Sequence, residues 1–265
     1  MLLPPDYHLH TPLCKHAVGS PADYRAAARL RGIGEICFTD HVPTPDGFDA
    51  RHRMTLADFP AYRDMIATFH DDLSPRVRFG IEADYYEGCE SFLREWLPAQ
   101  KFDLVLGSVH YLNDWGFDSP EEIDRWDSVD VPAVWRNYFE RVVRLARTRL
   151  FDVVGHFDLP KKFGHRIEEE ALKRAAQPAL DAVAEAGMGI EINTSGFRRP
   201  AAEQYPTLLL LSLARERKIP ICFGSDAHRP EEVGHGFETA IAVARAAGYT
   251  QTTRFEKRRS SPMPL

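Results

Sequence analysis

Short apolar runs rich in Val, Ile, Leu and Phe alternate along the chain with longer stretches whose apolar positions recur every three to four residues. Runs of the first kind read as buried strands and stretches of the second kind as amphipathic helices. Strands are expected at 6–10, 35–39, 77–81, 104–108, 151–155, 188–192 and 219–224. Helices are expected at 20–30, 56–71, 132–147, 168–186, 207–217 and 230–247, the first with Ser20 as N-cap and Gly32 as stop. Segments 42–55 and 111–130 read as long loops over one end of the molecule.

Seven strands alternating with helices fit an open doubly wound sheet or a closed barrel, and periodicity alone does not separate the two. The polar residues favour one. Strand after strand is followed by His, Asp or Glu: His10, His41, Glu82, His110, His156, Glu191, and Asp226 with His228. In a parallel barrel all strand ends converge on one mouth, whereas an open sheet gathers only those beside its switch point. The expectation is therefore an α/β, TIM-like barrel of one domain over 1–254. The ending FEKRRSSPMPL mixes charge, Ser and Pro, so 255–265 is expected to be a flexible tail.

Composition narrows the function. Apolar residues make up 44% and charged residues 27%, as in a globular enzyme. A net charge of −6 argues against general attraction to nucleic acid but leaves a small anionic substrate open. No stretch approaches the length needed to span a bilayer, and MLLPPDYHLH lacks the features of a signal peptide, so a cytoplasmic protein without membrane partners is expected. Cys14, Cys37, Cys89 and Cys222 form no Cys-x-x-Cys pair, which leaves ordinary thiols.

His8 and His10 stand two apart on an expected strand and can share a face and an ion, although an isolated His-x-His is as often structural. His16 follows in a turn-like segment. In FTDHV, Asp40 reads as a helix cap and His41 as a ligand. Glu82 in GIEADY is flanked by apolar residues, where a carboxylate needs a cation, and bridging two metals would satisfy it. His110 and His156 each follow a very apolar strand, and Asp226 and His228 follow the last one. Each has a plain structural reading alone, but seven histidines and two carboxylates at matching strand ends exceed chance. His52, His70, His165 and His235 fall outside the set. Nitrogen and oxygen donors without Cys favour Zn, Mn or Fe, and nine donors call for two or three divalent ions.

In this order, DYHLHTPLCKHA, FTDHVP, GIEADY, GSVHYL, VGHFDL, EINTSGFRRP and GSDAHRP resemble the polymerase-and-histidinol-phosphatase (PHP) superfamily, most closely its histidinol-phosphate phosphatases, from Asp6 to Pro230. The resemblance implies a distorted (β/α)7 barrel with three metals at its C-terminal mouth. It implies His8, His10, Glu82 and Asp226 on one ion, Glu82, His110 and His156 on a second, and His16, His41 and His228 on a third. It also implies hydrolysis of L-histidinol phosphate in histidine biosynthesis, with Glu82 and Asp226 positioning the attacking water and Asp226 or His228 relaying a proton. Arg198 is the expected phosphate clamp, with Asn193 and Ser195 nearby, and either Lys161 or Lys162, preferentially Lys162, adds charge. Glu191 is expected to orient a ligand, meet the substrate amine or serve as a structural acceptor. Two alternatives remain: a related phosphoesterase for nucleotides, oligonucleotides or phosphotyrosine, or a noncatalytic metal-binding barrel.

Overall fold

The computed structural model describes residues 3–69 and 73–265. Its centre is a seven-stranded parallel sheet: β1 (Asp6–Leu9), β2 (Glu35–Phe38), β3 (Arg76–Asp84), β4 (Leu104–Ser108), β5 (Val153–Val154), β6 (Gly189–Asn193) and β7 (Ile221–Gly224). They pair in chain order, each joined to the next by a crossover that contains a helix. Just past the two edge strands, His10 N donates to Ala227 O at 3.0 Å and Ala227 N to His8 O at 3.2 Å. The sheet is thus a nearly closed barrel, which removes the exposed edges an open sheet would leave.

The helices are α1 (Pro21–Leu30), α2 (Phe59–Ala67), α3 (Glu90–Gln100), α4 (Val131–Thr148), α5 (Glu169–Ala186), α6 (Leu208–Glu216) and α7 (Phe237–Ala246). Ser20 caps α1 as expected, in a full capping box with Asp23. Helix α3 is absent from the sequence reading. Its apolar face is Leu93 and Leu97, with Phe92 and Trp96 packed alongside, but Pro98 within its last turn interrupts the helical signal. The expected helix at 56–71 is shorter, and its end, with His70 and Asp71, lies outside the described residues. The segment expected as a helix at 230–247 divides, because Gly234 and Gly236 adopt positive φ between a turn at Pro230–Glu232 and α7.

Alternation along the strands sorts the core. Val105, Ile190, Ile192, Ile221 and Phe223 face outward into the large cluster shared with the helices. Tyr7, Cys37, Leu104, Leu106, Val153 and Cys222 form a smaller cluster inside the barrel, together with Phe255.

Phe255 belongs to the segment expected to be a flexible tail, and here the structure differs. Strands β8 (Gln251–Glu256) and β9 (Arg259–Pro264) form an antiparallel hairpin. Lys257 and Arg258, at φ 51 and 61, make the two-residue turn. A turn of this type normally uses Asn-Gly, so Lys-Arg hid it. The hairpin lies under the N-terminal ends of the strands. Arg254 Nη2 meets Glu35 Oε2 at 2.6 Å, Arg78 Nε the same atom at 3.1 Å, and Arg258 Nη2 Asp152 Oδ1 at 2.9 Å. Among the described residues, no helix is long and apolar enough to cross a membrane.

Candidate metal centre

The opposite end of the barrel is built differently. Glu82, on β3, is buried and stands at its middle. Its Oε2 faces His8 Nε2 at 3.2 Å, His10 Nε2 at 3.6 Å and His41 Nδ1 at 3.0 Å. Its Oε1 faces His156 Nε2 at 3.1 Å and His110 Nε2 at 3.5 Å and accepts from Ser108 Oγ at 2.7 Å. Asp226 Oδ1 lies 3.3 Å from His10 Nε2 and 3.8 Å from His8 Nε2. The His228 ring stacks on His10 at 4.1 Å between centroids and on His16 at 4.5 Å. All nine residues expected as metal ligands therefore meet at one mouth.

Their backbone is shaped for this. His156 and Asp226 adopt φ of 24 and 52, a region most side chains avoid, so the chain turns sharply where each leaves its strand. A Cβ on Gly224 would lie 2.0 Å from Glu191 Oε1 and 2.6 Å from His8 Cβ, so only glycine fits there.

Further groups hold the histidines. Glu191 Oε1 bonds His8 Nδ1 at 2.7 Å and its Oε2 accepts from His156 N at 2.9 Å, so Glu191 holds two of these histidines rather than lining the cavity. Asp84 Oδ1 bonds His110 Nδ1 at 2.5 Å. Asp40 caps no helix. It accepts from Thr11 N at 3.1 Å, Thr11 Oγ1 and His41 N at 3.0 Å, and its Oδ1 lies 3.6 Å from His10 Nδ1.

Electrostatics follow from burial against pairing. Burial alone would raise Glu82, but His8, His41, His110 and a bond from His156 hold it well below the carboxylate range. Burial would lower His8, yet Glu191, Glu82 and Asp226 raise it well above its ordinary value. For His41 burial prevails and takes it down to about 4.

Whether divalent ions suit these residues is tested by the partners their atoms lack. His8 Nε2, both ring nitrogens of His10, His41 Nδ1, Glu82 Oε2 and His228 Nε2 are buried without a hydrogen bond. Unpaired buried polar atoms are costly and rare, and here they cluster on facing donors. His8, His10 and Glu82 offer atoms within 4.8 Å of one another, as do His10, His41 and His228. The residues fit metal ions. One donor departs from expectation: Cys14, read as an ordinary thiol, is buried within the same distance of His16 and His228.

A cavity of about 450 Å³ opens over the cluster. Lys162 and Ser195 line it; Lys161 does not. Lys161 is buried against Asp158 Oδ2 at 2.9 Å and Gln204 O at 2.8 Å. Lys162 Nζ meets Asp118 Oδ2 at 2.9 Å. Ser195 Oγ donates to Asn193 Oδ1 at 2.7 Å and lies 3.2 Å from Asp226 Oδ2. Arg198 sits behind the wall rather than in it. Its Nη2 donates to Ser225 O and Asp226 O at 2.9 and 3.2 Å, and its buried Nη1 has no partner. Arg199 and Arg229 line the cavity instead, and were not anticipated. His52, set aside in the sequence, is at the rim with its Nδ1 on Asp49 Oδ1 at 2.7 Å. Asp84 was also missed, although its position two residues after Glu82 puts it on the same strand face.

Known proteins resemble this chain in sequence and fold. The probable histidinol-phosphatase of Deinococcus radiodurans is 44% identical over 97% of this chain and 98% of its own length. The histidinol-phosphatase of Bacillus subtilis is 28% identical over 89% of this chain and 97% of its own. The histidinol phosphate phosphatase of Lactococcus lactis, solved with zinc, L-histidinol and phosphate, superimposes with a TM-score of 0.81 at 22% identity, covering 98% of this chain and all of that one. A PHP-associated family matches residues 209–244. The PHP domain family matches residues 6–195, from the first barrel strand through most of the cluster, and the chain belongs to that family.

Proposed function

We propose that the chain is a metal-dependent phosphate monoester hydrolase that converts L-histidinol phosphate and water to L-histidinol and phosphate in histidine biosynthesis. The observation that carries the chemistry is the convergence around Glu82 of buried imidazole nitrogens that make no hydrogen bond. The choice of substrate is supported by full-length similarity to the Deinococcus relative.

Two or three divalent ions, Zn, Mn or Fe, suit the donors. His8, His10, Glu82 and Asp226 would hold one, Glu82, His110 and His156 a second, and His16, His41 and His228 a third. When bound, such ions would supply Lewis-acid charge to the phosphoryl oxygens and make an attacking water more acidic.

The chain's own groups do the remaining work. Glu82 faces imidazoles through both oxygens and so keeps the two halves of the cluster in register. Burial would raise Asp226, but His8, His10 and His228 keep it well below the carboxylate range, so it is ionised and takes the proton of an attacking water only as a weak base. Asp226 or His228 would return that proton to the departing alkoxide, the better leaving group being the protonated one. Arg198, expected as the phosphate clamp, is held by two backbone carbonyls behind the wall, so Lys162, which lines the cavity together with Arg199 and Arg229, supplies the charge placed to meet a phosphoryl oxygen. Preorganised positive groups of this kind are where phosphoryl transfer gains most.

The test is a panel of phosphate monoesters assayed with added metal. A preference for histidinol phosphate over nucleotides and phosphotyrosine of at least about tenfold, or about 1.4 kcal/mol, is the expected result. Activity chiefly on nucleotides would reassign the substrate, and metal binding without turnover would remove the enzyme reading.

A further inference from the structure

Segment 43–55 crosses the barrel mouth after β2 and supplies Asp49 and His52 to the cavity wall. Its anchor is Arg53, a fully buried arginine with only 2% of its surface exposed. Nη1 of Arg53 donates to Asp84 Oδ2 at 2.9 Å and to Val42 O at 3.1 Å. Nη2 donates to Asp49 Oδ2 at 2.9 Å, and Nε to Asp49 O at 3.2 Å. The other oxygen of each carboxylate is engaged as well: Asp84 Oδ1 holds His110 Nδ1 at 2.5 Å, and Asp49 Oδ1 holds His52 Nδ1 at 2.7 Å. One guanidinium thus sits midway in an unbroken chain from a rim histidine to an imidazole of the cluster.

A buried charge of this kind is destabilising unless every partner is in place, so evolution of a plain loop anchor would more simply use apolar packing. Arginine does what such packing cannot. Its rigid fork fixes the angle between two carboxylates, and a carboxylate on the far nitrogen of a ligating histidine sets that ring's orientation and basicity.

We propose that Arg53 is a positioning residue: through Asp84 it sets the orientation of His110, and through Asp49 it fixes the rim of the cavity, so that both are governed by one side chain. The proposal rests on the reading of His110 as a metal ligand. It predicts that the two ends of the chain separate when cut at different places.

Asp84→Asn keeps an oxygen for His110 but loses the charge. This variant should release one ion per chain at about 10- to 100-fold lower chelator concentration than wild type. Asp49→Asn cuts only the rim link: it should retain every ion at wild-type chelator concentration, with KM for histidinol phosphate raised several-fold and kcat little changed. Arg53→Met cuts both links and should show both effects, release of one ion at several-fold lower chelator concentration and the raised KM. Should Arg53→Met fail to fold, Arg53→Lys, which keeps the charge but not the fork, carries the same expectation. Metal content after dialysis against graded chelator is read beside KM and kcat. Wild-type ion retention in the folded Arg53 variant, or wild-type KM in Asp49→Asn, overturns the proposal. If the wild-type protein fails to hydrolyse histidinol phosphate, the proposed function falls instead, and the ion-retention measurements still decide the tie.

Discussion

The two ends of the barrel both bury charge and treat it in opposite ways. At the N-terminal end Glu35 is surrounded by Tyr7, Arg78 and Arg254, and Asp152 by Arg258, so acid meets base within hydrogen-bonding distance. At the C-terminal end Glu82 Oε2 meets His8, His10 and His41, whose facing nitrogens make no hydrogen bond. A closed set of ion pairs holds a structure together. An open set of donors is costly to fold and is retained for what it binds.

The largest expected effect falls on the mouth alone. Chelation should abolish hydrolysis and lower Tm, because a ligand that binds only the folded chain stabilises it. Adding Zn, Mn or Fe should restore both, and full activity in a demonstrably metal-free sample would break the contrast. Next, Glu82→Gln removes the one charge shared by both halves of the cluster. It should cost more than the ~100-fold typical of outer partners, measured as kcat/KM together with ions retained per chain. A variant at the other end, Arg258→Ala, should do the reverse: stability falls by about 1–3 kcal/mol on loss of charged hydrogen bonds, while kcat stays unchanged. A fall in kcat at unchanged stability would mean that the hairpin end participates in catalysis.

The smallest effect concerns acid. Burial would raise Asp49, but His52 and Arg53 bring it down to about 2. A carboxylate depressed in the folded state stabilises above its ordinary pKa near 4, and that contribution fades as pH falls toward 2. Urea midpoints between pH 5 and 2.5 should therefore fall more steeply for wild type than for Asp49→Asn, and parallel curves would show Asp49 to be uncoupled.

What the sequence disclosed depended on whether a signal is periodic. The strands and the mouth residues were legible because His10, Glu82, His110 and His156 interrupt or end apolar runs, where a polar group demands a reason. The groups that orient them were harder. Asp40 follows an apolar run, a position a helix cap also takes, and only tertiary contacts show it holding Thr11 and facing His10. Arg53 and His52 lie in an aperiodic loop, where no spacing marks a partner. The hairpin was hidden by composition: RSSPMP has the Pro and Ser of a loose end, yet its partner strand places Phe255 inside the barrel.

That last placement bears on how the protein is made. Phe255 packs edge-on against Tyr7 at 5.6 Å, and Phe255 N donates to Tyr7 Oη at 3.1 Å, so almost the first and almost the last segments of the chain are neighbours. The candidate donors likewise run from His8 to His228. A ribosome emitting the chain in order has to deliver nearly all of it before the first strand finds its second neighbour, and contacts of such long sequence separation form late. An ion arriving early would meet only the histidines of the first two strands, so the complete set of donors exists only in a finished barrel.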